Sequence, residues 1–265
     1  MGTPIGNLGD LTDRARETLA AVDVVAAEDT RRTGTLLKRI GIRARMVSLH
    51  ESNERARTGE LLKLLGAGSD VAVVSDAGMP GLSDPGFRLV RACVEAGVDV
   101  RVVPGPSAAV AALVVSGLPT DRFVFEGFLP RRAAERRRRL EALAEDPRTV
   151  VMFESPKRVS ATLEEVRDVW GDRRAAVARE LTKLHEEVLR GSISEVLALL
   201  KDPKGEIVVV VEGRRDRPAP DLGAMAEEAR ALITGGMRTR EAAAAVAHRH
   251  GASANQIYRA IVTSR

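Results

Sequence analysis

The sequence has little cysteine, few aromatic residues and no long apolar run. A single cysteine among 265 residues, Cys93, excludes an internal disulfide and favours a reducing compartment such as the cytoplasm. Aromatic residues make up only 3%, so a core has to be built from aliphatic side chains. The longest apolar stretches, such as residues 108–115, fall well short of the ~18 residues that span a bilayer, and no targeting segment is visible. We therefore expect no membrane partner.

Several motifs that mark common active sites are also missing. No G-x-G-x-x-G follows a strand-like run, and neither the triphosphate loop G-x-x-x-x-G-K-[ST] nor the serine elbow G-x-S-x-G is present. The four histidines, His50, His185, His248 and His250, show no metal-type spacing with carboxylates or Cys93. The usual dinucleotide, triphosphate and serine-hydrolase sites are thus excluded, and no metal is expected.

The composition is that of a globular protein larger than one small module. Hydrophobic residues make up 44% and charged residues 29%, so a buried core can form. A net charge of +4 and a pI near 9.6 permit an acidic partner such as nucleic acid. GC-rich coding would produce the same excess of arginine and alanine, so charge alone does not decide for nucleic acid.

Apolar runs alternate with amphipathic stretches in the first half, which predicts βαβ units over residues 1–119. Predicted strands cover residues 22–26, 71–75 and 98–103. Predicted helices cover residues 10–20, 54–65, 85–96 and 106–116. Gly117, Leu118 and Pro119 break the pattern, so we place a domain boundary there.

The second half predicts another α/β lobe, residues 120–213, followed by a small helical domain, residues 221–265. The lobe has strand-like residues 123–128, 149–153, 175–178 and 207–211, and helical residues 133–145, 158–170 and 192–201. Residues 213–220 have the composition of a linker. Helices over 225–233 and 239–250, and a third opened by the capping box from Ser253 to Gln256, give a helix-turn-helix pattern. The fold class is therefore α/β, with two α/β lobes and a C-terminal helical domain.

Two loops are candidate ligand sites because each joins the end of an apolar run to the start of a helix. Residues 75–86 contain three glycines and two prolines, which allow close approach of a ligand to the backbone. Residues 103–108 repeat the arrangement with a Pro-Gly turn before a helix N-terminus. A merely long connection is the alternative for the first loop, although loops of this length are usually functional.

Polar clusters follow four of the strand-like runs. They cover residues 28–33, 50–54, 154–158 and 179–183. The clusters could converge on one cleft, but each alone is equally well explained by helix capping or surface ion pairs.

Taken together, these stretches are similar to the tetrapyrrole (corrin/porphyrin) methylase superfamily, in its branch that methylates small-subunit rRNA. The resemblance is carried, in chain order, by residues 3–10 (TPIGNLGD), 27–31 (AEDTR), 75–86, 104–108 (PGPSA) with 116–119, 126–130 (EGFLP), 179–183 (RELTK) and 205–213.

This resemblance implies a function and a cofactor. The expected activity is 2'-O-methylation of a cytidine in 16S rRNA of the small ribosomal subunit by a cytoplasmic homodimer, with S-adenosylmethionine in the cleft between the lobes. By motif position, the implied cofactor contacts are Pro4, Asp76, Ala77, Gly78, Leu82, Ser107, Ala108, Phe153 and Leu181.

One departure from the family pattern concerns the N-terminal segment. The family places an apolar strand before the TPIGNL motif, whereas here only Met1 and Gly2 precede it. We therefore expect the first strand of the N-terminal sheet to be missing and Pro4 to be poorly anchored.

Methyl transfer to a ribose hydroxyl is helped by a group that takes the hydroxyl proton. The candidates for this general base are Glu28, Asp29, His50, Glu154 and Lys183, and the sequence does not rank them. Arginine binds phosphate bidentately, so candidates for contacts with flanking RNA phosphates are Arg31, Arg158 and Arg179. The arginine run at residues 136–139 would widen the basic surface.

Two other interpretations remain open at this stage. A corrin or porphyrin methyltransferase would share the two lobes but needs no helical tail, whereas a DNA-binding regulator would leave the loop at 75–86 without a role. Deletion of the residues after about position 217 should sharply reduce RNA methylation but hardly change the activity of a corrin or porphyrin methyltransferase. Sequence-specific binding of duplex DNA would be needed to support the regulator.

Overall fold

The computed structural model describes residues 1–214, 222–250 and 253–263. The chain divides into two units, Met1–Arg214 and a C-terminal helical unit that follows it. The predicted linker lies almost entirely outside the described residues, and the predicted boundary at 117–119 falls within the first unit. Across the described ranges, no helix is long and apolar enough to cross a membrane.

The first unit contains eight strands and eight helices among its described residues, besides a short 3-10 helix at Leu8–Asp10. The strands are β1 Val24–Ala27, β2 Met46–Ser48, β3 Val71–Val74, β4 Phe123–Phe128, β5 Thr149–Glu154, β6 Arg174–Arg179, β7 Glu187–Ser192 and β8 Ile207–Val211. The helices are α1 Asp13–Ala21, α2 Thr30–Arg39, α3 Glu54–Gly66, α4 Phe87–Glu95, α5 Ala108–Ser116, α6 Ala133–Leu143, α7 Val159–Trp170 and α8 Ile193–Leu199.

The N-terminal sheet is parallel, with strand order β2-β1-β3. Side chains alternate along β1, so that Val24 and Ala26 pack with residues of α3 and α4, whereas Val25 and Ala27 pack with residues of α1 and α2. Covering both faces explains why β1 is apolar throughout. The same arrangement sends the carboxyl ends of β1 and β3 to one edge.

The predicted strand at residues 98–103 is wrong. In the described part of the chain these residues have no ladder partner, and Val100 and Val102 are exposed. Gly2 donates a single backbone hydrogen bond to the Val103 carbonyl at 2.9 Å. An apolar run indicates a preference for burial, but a strand also needs a neighbouring strand with which to pair.

The second sheet has five strands in the order β4-β5-β8-β6-β7. Only β4 and β5 pair in parallel, and the other neighbouring strands pair antiparallel, so the sheet is mixed. One face packs against helices α6, α7 and α8, and the other against α5, through Ala109, Ala112 and Leu113. The sequence reasoning missed β7, because its polar, glycine-containing sequence at a sheet edge carries no apolar run, and it missed α2.

The C-terminal unit consists of α9 Leu222–Thr234, α10 Thr239–His250 and α11 Ala254–Thr263. Its core is made of small side chains, chiefly alanines of α9 and α10, with Val246, Ile257 and Ile261. The three predicted helices are thus present, although the predicted turn at Gly251 lies outside the described residues. Together with the two helix-covered sheets of the first unit, the C-terminal unit confirms the predicted fold class.

Candidate functional site

The loop at residues 75–86 follows β3, and the N-terminal segment holds its first half. Thr3 and Gly78 exchange two backbone hydrogen bonds, with N···O distances of 2.9 and 3.0 Å. The Thr3 hydroxyl also donates to the Ser75 carbonyl at 3.1 Å. Gly78 has a φ of +76°, a conformation that favours glycine. Contrary to expectation, the segment that carries Pro4 is therefore held in place, through the hydrogen bonds of the adjacent buried residue Thr3.

A buried carboxylate holds the other end of this loop. Glu54, at the start of α3, accepts the backbone N–H groups of Gly86 at 2.8 Å and of Arg88 at 3.1 Å. Within the loop, Ser83 has a φ of +65° although it is not a glycine. Such a conformation persists only where the surroundings enforce it. The loop is thus tied to the fold at both ends.

Three carboxylates gather where β1 and β3 end. The backbone N–H of Asp76 donates to the Glu28 carboxylate at 3.1 Å, and Arg32 lies 3.3 Å from the Asp76 carboxylate. Burial, and then the negative charge of Glu28, raises the pKa of Asp84 to about 6. This corner of the site is acidic and favours a bound cation.

The opposite wall comes from the second sheet and is apolar. The ring centroid of Phe153 lies 5.0 Å from that of Phe125 and 5.6 Å from that of Phe128. These are three of the five phenylalanines in the chain, so the scarce aromatic residues are concentrated here. Ile207 and Val208, from the central strand β8, extend the wall.

A cavity of about 420 Å³ lies between the two walls, a size in the range of small-molecule sites. The predicted site residues that line it are Glu28, Asp76, Ala77, Gly78, Leu82, Ser107, Ala108, Phe153 and Glu154. Residues that the sequence reasoning did not name as site residues also line it, among them Ile5, Arg32, Met79, Asp84, Phe125, Phe128, Ser155, Gly205 and Glu206. Ser107 and Ala108 open α5, whose first-turn N–H groups lack partners within the helix and favour a polar or negative group.

The remaining predicted residues do not line this cavity. They are Pro4, Asp29, His50, Leu181 and Lys183, and the predicted phosphate contacts Arg31, Arg158 and Arg179. Leu181 is buried in the same hydrophobic cluster as Ile5, which does line the cavity. The roles assigned to these residues stay predictions.

Three of the general-base candidates already have strong partners. Asp29 caps α2 and forms a two-point ion pair with Arg31, which holds the pKa of Asp29 well below its usual range. The Lys183 ammonium lies 3.0 Å from Glu180 and 3.1 Å from Glu206. Despite partial burial, which acts in the opposite direction, these carboxylates raise the pKa of Lys183, so the amine stays charged at neutral pH.

Glu154 is the third of these candidates. It is buried, accepts the Thr162 hydroxyl at 2.7 Å and the Ser155 N–H at 2.8 Å, and lies 3.3 Å from Arg158. His50, the remaining candidate besides Glu28, lies 2.9 Å from the Ser52 hydroxyl, away from the cavity.

The predicted phosphate-binding arginines differ in how free they are. The Arg31 side chain is 91% exposed although it pairs with Asp29. Arg158 instead donates to the carbonyls at the end of the EGFLP motif, at 3.2 and 3.3 Å. Arg179 pairs with Glu187 across the β6–β7 ladder at 2.5 Å. Arg31 is therefore the predicted arginine with the most surface available to a phosphate.

Comparisons with known proteins agree with this architecture. A sequence profile of the tetrapyrrole (corrin/porphyrin) methylases matches residues 1–197. A Synechocystis protein named ribosomal RNA small subunit methyltransferase I is 45% identical over 263 residues, covering 97% of this chain and 94% of that protein. A protein of the same name from Mycobacterium tuberculosis is 47% identical over 268 residues, covering 99% of this chain and 93% of that protein.

Solved structures show a similar fold. The crystal structure of the methyltransferase CobJ has a TM-score of 0.60 at 21% identity and covers 81% of this chain and 94% of its own. A uroporphyrin-III-C-methyltransferase from Thermus thermophilus has a TM-score of 0.54 at 22% identity, covering 79% of this chain and 91% of its own. At such identities the likeness concerns the fold alone.

Proposed function

This chain belongs to the tetrapyrrole (corrin/porphyrin) methylase family, and from that premise we propose that it methylates the ribose 2'-hydroxyl of a cytidine in 16S rRNA of the small ribosomal subunit. The proposed methyl donor is S-adenosylmethionine. The family makes the chain a methyltransferase, and the substrate is what the names of its relatives suggest.

Similarity along nearly the whole chain carries this proposal. The relatives named small-subunit rRNA methyltransferase match 97% and 99% of the chain, so their similarity extends beyond residue 197 and into the helical unit. A methyltransferase acting on a small tetrapyrrole needs no such unit. The match at the C-terminus therefore favours RNA over a tetrapyrrole as the substrate.

The residues of the cavity fit the proposed methyl donor. When bound, S-adenosylmethionine supplies a methyl group on a positively charged sulfur. The carboxylates of Glu28, Asp76 and Asp84 make the cavity favourable to positive charge, while the phenylalanine wall offers apolar contact. The N-terminus of α5 favours a negatively charged group of a ligand.

The main task of the protein is then to align the ribose oxygen and to exclude water. Alignment of two reactants lowers the barrier because their translational and rotational freedom is lost on binding rather than in the reaction. The loop at residues 75–86, tied at both ends, provides a rigid wall for this purpose. We propose that Arg31 and Arg32 hold RNA phosphates, which is supported by the 91% and 67% exposure of their side chains.

A homodimer in the cytoplasm is the proposed functional form. It is supported by exposed apolar side chains on one face of α4, namely Phe87, Val90 and Val94, and by Val110 and Val114 on α5. Sedimentation velocity should show a dimer for the native chain and a monomer after Val94→Glu. A monomeric native chain at micromolar concentration would contradict this part of the proposal.

The function is tested by incubating the full chain with S-adenosylmethionine carrying a labelled methyl group and with purified small subunits that lack the modification. We expect label in 16S rRNA at one cytidine, in a linkage that resists alkaline hydrolysis. Binding to the subunit should weaken steeply with salt, because phosphate contacts release counterions. Label in an added tetrapyrrole and none in RNA would refute the proposal and indicate a corrin or porphyrin methyltransferase instead.

A further inference from the structure

The cavity contains one carboxylate whose surroundings differ from those of three general-base candidates, Asp29, Glu154 and Lys183, which are ion-paired. Asp84 lines the cavity and is half-buried, with the Ser75 hydroxyl and the carboxylates of Glu28 and Asp76 as its neighbours. No lysine, arginine or histidine in the described ranges is ion-paired with Asp84. It therefore has an acidic setting and no counterion, unlike Asp29 and Glu154.

The backbone fixes the position of Asp84. The preceding residue, Ser83, has a φ of +65°, and its hydroxyl lies against Gly127 of the second sheet, where a Cβ would come within 2.7 Å of it. After Asp84, the Pro85 carbonyl accepts the Gly81 N–H at 3.1 Å, and Glu54 holds the N–H of Gly86. Because the backbone is held in place on both sides of Asp84, the Asp84 side chain loses little conformational freedom during the reaction.

Resting on the proposed function, we propose that Asp84 is a catalytic residue, the general base that accepts the proton of the ribose hydroxyl during methyl transfer. In this step, the ribose oxygen bonds to the methyl carbon and the carbon–sulfur bond breaks with its electron pair remaining on sulfur. The hydroxyl proton passes to the Asp84 carboxylate, which later releases it to water.

The charges around the cavity favour this role. Glu28 after β1, Asp76 after β3, Glu154 on β5 and Glu206 before β8 are acidic, and Arg32 of α2 is the basic residue among the lining residues. Burial and the neighbouring Glu28 raise the pKa of Asp84 to about 6. A base whose pKa lies near the working pH is ionised and yet holds a proton well.

The test compares the full chain with Asp84→Asn, Asp84→Glu and the control Asp121→Asn, whose carboxylate is exposed and outside the cavity. Single-turnover methylation of small subunits is measured between pH 5 and 9 at subsaturating subunit. For the native chain we expect the rate constant to rise with pH and level off at or below about 6, because the bound cationic cofactor lowers the pKa of Asp84 from its value of about 6 in the free protein. Asp84→Asn should lose roughly 10²–10⁴-fold in rate, and Asp84→Glu should recover part of that loss.

Calorimetry with S-adenosylmethionine alone provides a readout that does not depend on activity. A cation bound beside a carboxylate favours its charged form, so binding near pH 6 should release protons from the native chain and fewer from Asp84→Asn. In Asp84→Asn the dissociation constant for S-adenosylmethionine should change less than about tenfold. If Asp84 served only to bind the cofactor, the substitution would instead weaken affinity and leave the rate at saturating cofactor unchanged. Asp121→Asn should match the native chain in both assays.

Two results would overturn the assignment of Asp84. One is an Asp84→Asn variant that keeps more than a tenth of the native rate with the same pH profile. The other is a loss of cofactor affinity as large as the loss of rate, which would make Asp84 a cofactor contact. Failure of the proposed function gives a different result, since the native chain itself would then leave the small subunit unmethylated.

Discussion

Removing the charge of Asp84 should stabilise the folded protein at neutral pH, even though it should abolish most of the activity. In the unfolded chain Asp84 has its ordinary pKa of 3.8, whereas in the folded protein its pKa is about 6. Between these values the folded state binds more protons than the unfolded state, so stability falls as pH rises from about 4 to 6. Above pH 6 the full cost of the charge is present, and Asp84→Asn removes it.

The magnitude follows from the difference between the two pKa values. A difference of about two corresponds to ~3 kcal/mol if water screens nothing. Because Asp84 is only half-buried, solvent screening lowers the expected gain to about 1 kcal/mol. For a unit of this size, 1 kcal/mol raises the melting temperature by roughly 2–4 °C.

Thermal unfolding of the native chain, Asp84→Asn and Asp121→Asn at pH 4.0, 6.0 and 7.5 measures this effect. The gain from Asp84→Asn should be full at pH 7.5 and small at pH 4.0, where Asp84 is largely protonated in the folded protein. A variant less stable than the native chain at pH 7.5, or a gain that does not depend on pH, would refute the reasoning. The outcome also separates lost catalysis from lost folding.

Two further substitutions probe the parts of the fold that shape the cavity. Glu54→Gln removes the charge of the carboxylate that accepts two backbone N–H groups at the start of α4. In urea unfolding it should lower the free energy of unfolding by ~1–3 kcal/mol, and it should weaken S-adenosylmethionine binding. Unchanged stability would show that the amide holds the loop equally well. Gly205→Ala should lower the melting temperature more than Gly171→Ala does. Both glycines have φ near +80°, but only at Gly205 would a Cβ collide with the Glu180 carboxylate. Equal decreases in melting temperature would contradict the collision.

The sequence predicted those elements whose own composition decides their structure. The apolar runs of β5 and β8 were found because a strand buried on both faces is apolar along its length. Residues 98–103 (VDVRVV) are also rich in valine but have no partner strand in the described part of the chain, and pairing depends on parts of the chain that are far away in sequence. For the edge strand β7 the sequence led to the opposite error: the strand was not predicted because it lacks an apolar run, yet it pairs with β6.

The candidate site divides in the same way. Asp76, Ala77 and Gly78 were found because a glycine-rich loop after a strand is itself a local signal. Phe125 and Phe128 belong to a different sheet, and only tertiary packing brings them to the cavity. The shifted pKa of Asp84 depends on burial and on Glu28, which lies 56 positions earlier in the chain, so no local pattern could reveal it.

The packing of α5 against the second sheet has a consequence for synthesis of the protein on the ribosome. Its partner strand β8 is the middle strand of that sheet but the last of the five to be translated. At ~5–20 residues per second, the roughly 90 residues between α5 and β8 take on the order of 5–20 s to emerge. During that interval the side chains of Ala112 and Leu113 lack the β8 residues Val208 and Val210, with which they share a buried cluster in the folded protein. The nascent chain therefore passes through an aggregation-prone stage, and slower translation before β8 should increase its demand for chaperones.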